Sequence, residues 1–115
     1  MSRWRWLSFG LLMVAAACDR PVAGGAADGA QVFASACATC HGAGGTPPEA
    51  MAAALGVRDL NGAEFRARAS RDLVEHQVRT GSANKKMPSF TGALSDAQIA
   101  AVADYVMRLP APPTR

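Results

Sequence analysis

The pentapeptide Cys37-Ala38-Thr39-Cys40-His41 carries the most specific chemistry in this chain of 115 residues. Two thiols lie three positions apart, and an imidazole follows the second thiol directly. On a helix, residues three apart lie on the same side, so both thiols can reach one bound group. The third cysteine, Cys18, stands alone near the N-terminus, and three cysteines cannot form a complete set of disulfides. The pentapeptide and Cys18 are therefore two separate chemical sites.

Length and composition predict one domain with a thin core. The mass of 11.9 kDa limits the chain to a single domain at most. Apolar residues make up 50% of the sequence, but many of them are alanines, which add little core volume. A domain this small commonly needs a disulfide, a metal or another covalent staple. The sequence therefore predicts a buried non-protein component.

The charge balance argues against nucleic-acid binding. The formal net charge is +3, but two of the twelve basic residues, Arg3 and Arg5, lie in an N-terminal segment that has the features of a removable signal. Without residues 1–17, ten basic residues stand against nine acidic ones. Nucleic-acid binding requires basic charge clustered on one face, and this near-neutral balance does not indicate it.

Helix signals recur along the chain, and no stretch shows the alternation expected of a strand. Residues suited to N-capping precede four stretches with helical apolar spacing: Asp28, Thr46, Ser70 and Ser95. A further brief turn can open near Asn61. In the helix that follows Ser70, the inner side is predicted to include Leu73, Val74 and Val78. The sequence therefore predicts an all-α domain of four or five short helices.

The pentapeptide has the C-x-x-C-H form used for c-type haem attachment. Two thiols at this spacing can form thioethers with the two vinyl groups on one edge of a porphyrin. The following histidine can then turn its imidazole under the ring and bind the iron. Covalent attachment also holds the haem in a domain too small to enclose it by packing alone. Cys37, Cys40 and His41 are therefore predicted to bind one covalent haem c.

Three other interpretations of the same residues explain less of the sequence. A thioredoxin-like redox pair is expected beside a βαβ pattern, and no strand is predicted here. A zinc site has only His41 and His76 to complete the ligands beside the two thiols, without a second paired motif. A structural disulfide accounts neither for the adjacent histidine nor for the thin core.

The sequence resembles the class I cytochromes c over roughly Asp28 to Leu109. Besides the pentapeptide, the matching features in chain order are Gly29 and Phe33, Met87-Pro88-Ser89-Phe90, Leu94-Ser95-Asp96, and Tyr105 in the last helix. In that family an aromatic residue of the last helix packs against the first helix. The resemblance implies a small cytochrome c fold, in which the helices pack around one covalently attached haem.

The resemblance also implies a second axial ligand. Haem iron in cytochromes c is commonly held by histidine on one side and methionine on the other. The Met-Pro loop of the family corresponds to Met87, so iron ligation by His41 and Met87 is expected. His76 and Met51 remain alternatives for the second position. Pro47 or Pro48 is expected to offer the carbonyl that fixes the His41 ring.

Some neighbouring residues are candidates for the surroundings of the haem. Leu55, Leu60 and Phe90 can form an apolar wall, and Arg58 can meet a haem propionate or remain in solvent.

Iron held on both sides leaves no open position for a substrate, so outer-sphere transfer of single electrons between redox partner proteins is predicted. No residue is assigned a catalytic role, and the protein is not expected to be an enzyme. Two alternatives remain open. One is a haem subunit of a larger membrane dehydrogenase or oxidase, and the other is a haem sensor or peroxidase with a labile distal ligand.

The N-terminus has the features of an export signal. Residues 1–17 combine basic residues with an apolar run about as long as a signal-peptide core. Ala15-Ala16-Ala17-Cys18 resembles a bacterial lipobox, which implies lipidation of Cys18, although Ala15 stands where leucine is usual. Cleavage after Ala17 or further along, without lipidation, is the alternative. Residues 18–27 are then a tether, 28–110 the cytochrome c domain and 111–115 a tail, with the protein periplasmic and held at a membrane surface.

Overall fold

A computed structural model describes residues 27–110, and these residues form six helices without a strand among them. The helices are α1 (Gly29–Ala36), α2 (Ala38–His41), α3 (Glu49–Leu55), α4 (Ala63–Arg68), α5 (Arg71–Thr80) and α6 (Asp96–Met107). The predicted all-α class is confirmed. The number exceeds four or five because the backbone turns at Cys37, which separates α1 from the four-residue α2.

The described residues do not reach the chain ends. The predicted signal peptide, most of the tether with Cys18, and the tail at 111–115 lie outside them. Among residues 27–110, every helix falls short of the length and apolar character that a membrane span requires.

Three of the four predicted N-caps start helices. The Asp28 carboxylate accepts hydrogen bonds from the backbone N–H groups of the first turn of α1. The Ser70 hydroxyl accepts from Leu73 N–H at 3.2 Å at the start of α5. At α6, Ser95 and Gln98 cap each other reciprocally, with bonds of 3.1 and 2.8 Å. These local bonds satisfy N–H groups that have no partner inside the helix.

Thr46 does not cap a helix, contrary to prediction. Helix α3 begins only at Glu49, directly after Pro48, and no side chain caps it. The Thr46 hydroxyl instead donates to the Asp59 carboxylate at 3.2 Å. The Thr46 side chain therefore bonds to a residue distant in the chain and not to a backbone N–H of the following helix.

The first and last helices cross at a glycine. An added Cβ at Gly29 would clash with the backbone carbonyl of Ala101 and lie 3.0 Å from Cβ of Tyr105. One turn further along α1, the rings of Phe33 and Tyr105 lie 5.3 Å apart between centroids and are tilted by 51°. The expected packing of Tyr105 against the first helix is confirmed. The absence of a side chain at Gly29 is what allows the helices to approach this closely.

The buried core is small and comes mainly from α1, α5 and α6. Its members are Val32, Phe33, Leu60, Val74, Val78, Ile99, Val102, Ala103, Val106 and Leu109. Leu73, predicted on the inner side of α5, instead has 50% of its surface exposed. Val74 and Val78 define the buried stripe of α5, and the 100° turn per residue sets Leu73 beyond its edge.

Ion pairs join the outer sides of α5 and α6. The Arg71 guanidinium lies 2.6 Å from the Asp104 carboxylate, and Arg79 lies 2.6 Å from Asp96. These pairs are largely exposed, so solvent screens the charges and each pair is expected to contribute little to the free energy of unfolding. The apolar stripe, rather than these charges, holds α5 against α6.

The glycine at the helix crossing gives a direct test of the fold. Gly29→Ala should lower the free energy of unfolding by about 1–3 kcal/mol, because the methyl group forces α1 away from α6. Urea unfolding followed by circular dichroism measures this change. Gly44→Ala is the matched control, since no atom lies within 4 Å of its added Cβ. Equal destabilisation by both substitutions would contradict the close crossing.

Candidate haem site

The two thiols of the pentapeptide lie where α1 passes into α2. The backbone N–H of Cys37 donates to the Phe33 carbonyl at 2.9 Å, and the Cys37 carbonyl accepts from the N–H of His41 at 2.9 Å. Backbone hydrogen bonds of the helical type therefore continue from α1 into α2. Both thiols are free and partly buried. Cys37 also packs against the hydrophobic core. The junction therefore presents both thiols on one short helical segment.

Burial determines the protonation of Cys37. Loss of solvent, together with the neighbouring Cys40, raises the pKa of Cys37 to about 11. The thiol is accordingly protonated at neutral pH. Thioredoxin-like pairs instead depend on a lowered cysteine pKa. Cys37 thus has the opposite electrostatic character from the reactive cysteine of a thiol-disulfide catalyst.

The His41 ring is oriented by a backbone carbonyl. Its Nδ1 lies 3.1 Å from the carbonyl oxygen of Arg58. A carbonyl oxygen can only accept, so Nδ1 carries the proton in this bond. Burial lowers the pKa of His41, with the Arg58 carbonyl acting as a smaller opposing influence. The neutral ring then keeps its lone pair on Nε2, which is the form of histidine that binds a metal.

The carbonyl partner of His41 corrects the expectation that Pro47 or Pro48 would supply it. Arg58 does so instead, and its side chain is exposed. The sequence could not show this, because the bond joins two segments separated by all of α3.

Two short segments hold the Arg58 carbonyl in place. The side-chain amide of Asn61 donates to the Gly44 carbonyl at 2.8 Å and to the Thr46 hydroxyl at 2.9 Å. The backbone N–H of Leu60 donates to the Gly45 carbonyl at 2.9 Å. These bonds tie the chain after His41 to the chain around Arg58. Asn61 is a site-supporting residue that the sequence analysis did not identify; its only signal was the turn-forming Asn61-Gly62 pair.

Met87 lies in the loop between α5 and α6 and is partly buried against the core. Cys37 packs against that same core from α1, so the fold brings these two distant parts of the chain to one cluster. The alternatives for the second ligand lie elsewhere. Met51 is on α3 and is not among the residues packed on the core, while His76 is exposed on α5.

The zinc interpretation gains no support from the fold. Within residues 27–110, no three or more histidine, cysteine, aspartate or glutamate side chains are grouped to hold a metal ion. His76 is therefore not brought to the two thiols and His41, as a four-ligand zinc site would require.

A shallow cavity of about 230 Å³ borders Arg58 but contains none of the predicted haem ligands. Its other lining residues are Gly56, Asp59, Gly62, Glu64 and Phe65. This volume is below the several hundred Å³ usual for small-molecule pockets. The cavity does not form part of the site.

Comparison with known proteins agrees with the geometry. Residues 24–106 match the family model described as cytochrome C oxidase, cbb3-type, subunit III. Cytochrome c6 of Picosynechococcus sp. is 40% identical over 84 residues, which are 70% of this chain and 70% of that protein. Cytochrome c6 of Euglena gracilis is 35% identical over 80 residues, covering 68% of this chain and 85% of the relative.

A solved structure shows the same fold. The KustC0563 c-type cytochrome superposes with a TM-score of 0.62 at 29% identity, covering 70% of this chain and 94% of its own. The match to the family model covers α1 to α5 and all of α6 but its last residue. The chain belongs to the class I c-type cytochromes, electron-transfer proteins that carry one covalently bound haem c.

Proposed function

We propose that this chain is an exported carrier of single electrons, with one haem bound through Cys37 and Cys40 and its iron held between His41 and Met87. The observation that carries the proposal is the hydrogen bond from His41 Nδ1 to the Arg58 carbonyl. It leaves the lone pair of Nε2 free to bind a metal on a neutral imidazole, directly after the two thiols of the motif. This donor set fits a covalently attached haem.

The character of Cys37 argues against thiol-disulfide exchange at this pair. The two thiols stand free at the α1–α2 junction, and Cys37 has a raised pKa. A haem attached there supplies an iron that gains and loses one electron. Attachment at this junction would hold the haem next to the core, against which Cys37 packs, without an extensive apolar pocket.

The Arg58 carbonyl keeps His41 in one tautomer and one ring orientation. A histidine that donates its other N–H to a carbonyl is a better metal ligand, because the bond raises its basicity and limits its rotation. Since α2 carries Cys40 and His41 together, this bond also orients the segment that would hold the haem edge.

Met87 is the preferred second ligand because its thioether is neutral, partly buried and placed in a loop next to the core. A neutral sulfur ligand raises the reduction potential relative to a second imidazole. His76 is a weaker candidate because it is exposed on α5. With both axial positions taken, no site remains for a substrate, which favours outer-sphere transfer over a sensor or peroxidase.

Leu60 and Phe90 are suited to exclude water from this side of the core. Leu60 is buried, and Phe90 packs against the core cluster. Leu55, the third residue expected in this wall, is only partly buried and is not among the residues packed on the cluster. The proposed wall is therefore restricted to the first two.

Replacement of the proposed sulfur ligand tests the function. In the oxidised protein, sulfur ligation gives a weak absorption band at the red end of the visible spectrum, and Met87→Ala should abolish it. The same variant should bind carbon monoxide rapidly when reduced, because an iron position has opened. Met51→Ala is the matched control and should keep both the band and slow carbon monoxide binding.

Retention of the band in Met87→Ala, with its loss in Met51→Ala, would transfer the ligand role to Met51. Rapid carbon monoxide binding by the unmodified protein would instead favour a sensor or peroxidase with a labile ligand.

Lys85 and Lys86 precede Met87 and are exposed. Neither forms an ion pair with a residue in the range 27–110, whereas the arginines of α5 are paired. The proposed ligand loop therefore carries two uncompensated positive charges. We assign them to the approach of negatively charged redox partners, since such charges mainly increase the rate of encounter.

The rate of reduction by ascorbate, an anion, measures this attraction. Lys86→Gln should slow reduction about twofold at low salt. This is the effect expected when an anion loses the attraction of one positive charge that lies roughly 10 Å from the point of electron transfer. The difference should vanish as salt screens the charge. Arg108→Gln, which removes a positive charge after α6, is the control. Equal slowing in both variants, or no response to salt, would exclude a local role for the lysines.

The N-terminal proposals rest on the sequence pattern. We assign residues 1–17 to a signal peptide, 18–27 to a tether, 28–110 to the cytochrome domain and 111–115 to a tail. Lipidation of Cys18 would hold the domain at a membrane surface outside the cytoplasm. Stable anchoring requires more than one acyl chain.

The intact mass of the mature protein distinguishes the two N-terminal outcomes. Lipidation predicts that the chain begins at Cys18 with the added mass of the acyl groups and one haem. In Cys18→Ser the acyl mass should be lost while the haem is retained. An unacylated chain that begins beyond Cys18 would remove the membrane anchor and leave a free periplasmic carrier.

A second candidate function is a haem subunit of a larger membrane oxidase or dehydrogenase. The match of residues 24–106 to the cbb3-type subunit III model favours it. Such a subunit would transfer electrons by the same site. Copurification with other polypeptides at a constant ratio would support this role, and recovery of the tagged chain alone would support the independent carrier.

A further inference from the structure

The loop that carries Met87 closes on a single serine. The backbone N–H of Met87 donates to the Ser82 hydroxyl at 2.9 Å. The backbone N–H of Ser82 donates to the Met87 carbonyl at 2.9 Å. The N–H and the carbonyl of Met87 therefore both bond to Ser82. These two bonds close residues 82–87 into a hydrogen-bonded ring.

Asn84 determines the direction of the serine hydroxyl. The Ser82 hydroxyl has one hydrogen, and its oxygen lies 2.7 Å from Oδ1 of Asn84. Its separation from the Met87 carbonyl is longer, at 3.5 Å. Donation to Asn84 leaves the hydroxyl oxygen free to accept from Met87. The same Asn84 oxygen accepts from the N–H of Lys86 at 3.0 Å.

The ring requires an uncommon backbone conformation. Lys85 has φ of 61°, in the left-handed region, and its N–H donates to the Ser82 carbonyl at 3.0 Å. A residue with a long side chain adopts this conformation only when its surroundings impose it, and such residues are concentrated at functional sites. The hydrogen bonds of Ser82 and Asn84 supply that constraint.

The ring also sits directly against the end of α5. Gly81 has φ of 73°, and an added Cβ would lie 2.6 Å from the Met87 carbonyl oxygen. The backbone N–H of Phe90 donates to the Val78 carbonyl at 3.0 Å. The backbone on both sides of Pro88 is therefore held close to the end of α5, and displacement of the Met87 backbone requires the ring to open.

We propose that Ser82, oriented by Asn84, is a positioning residue that holds Met87 in place as the iron ligand. This inference rests on the proposed ligand role of Met87. Loss of the hydroxyl would leave the Met87 N–H without its acceptor, and Asn84 would keep only the N–H of Lys86 as a donor. The ring would then open more often, and the sulfur would leave the iron more often, although the helices and their core remain unchanged.

Imidazole binding to the oxidised haem protein measures this opening, because imidazole can enter only when the distal ligand has left. Ser82→Ala should increase the rate of imidazole binding about tenfold, as expected for the loss of one or two hydrogen bonds. Asn84→Ala should increase it about threefold, because the Ser82 hydroxyl can still accept from Met87 but loses the group that orients it, and the Lys86 N–H loses its acceptor. Ser82→Thr keeps the hydroxyl and should remain near the unsubstituted rate.

Ser35→Ala is the matched control. The Ser35 hydroxyl bonds to the Gln31 carbonyl at 2.8 Å on α1, away from the ring. It should leave imidazole binding unchanged. Unfolding of each variant in urea shows whether global stability has changed. An increase in imidazole binding confined to the Ser82 and Asn84 variants, without a matching loss of global stability, would support the inference.

Unchanged imidazole binding in Ser82→Ala, or an equal increase in Ser35→Ala, would overturn the inference and leave the ligand role of Met87 intact. If Ser82→Ala does not yield folded haem protein, Asn84→Ala provides the test. Faster imidazole binding in Asn84→Ala would support the inference, and an unchanged rate would overturn it. Retention of the red absorption band in Met87→Ala would remove both the ligand assignment and this inference.

Discussion

The hydrogen bond between His41 Nδ1 and the Arg58 carbonyl is the constraint on which the proposed site depends. It places the proton on Nδ1 and leaves Nε2 with a lone pair that can bind a metal. Burial supports the same state by disfavouring the charged ring. The bond is itself maintained by the contacts of Asn61 with Gly44 and Thr46. Two irregular segments therefore determine the chemistry of a histidine that lies on a helix.

The helical frame explains how so small a core can support this arrangement. The close approach of α1 to α6 at Gly29 brings Phe33 onto Tyr105 and positions the α1–α2 junction that carries the thiols. Helix α5 packs on α6 through Val74 and Val78. The apolar area available from such short helices is limited. A covalently attached haem, which the family carries, would add apolar contacts to those that the side chains make.

The two proposed iron ligands are held in different ways. His41 belongs to a helix, and a carbonyl from another part of the chain orients its ring. Met87 belongs to a loop, and the backbone on either side of its side chain is bound to Ser82 at the end of α5. A helix restricts its residues through its own hydrogen bonds, whereas a loop needs side-chain partners to do so. The ring of residues 82–87 provides these partners and explains the left-handed conformation of Lys85.

The sequence was enough to predict the helix starts at Asp28, Ser70 and Ser95 and the paired thiols before a histidine, because capping and short motifs depend on residues a few positions apart. It also indicated the packing of Tyr105 on the first helix, through resemblance to the family. The tertiary structure alone decided that Arg58, and neither Pro47 nor Pro48, orients His41. The tertiary structure also decided that the Thr46 hydroxyl bonds to Asp59 and does not cap a helix, and that half of the Leu73 surface is exposed. These outcomes join residues distant in the chain or depend on which side of a helix meets its neighbour, and no local pattern contains that information.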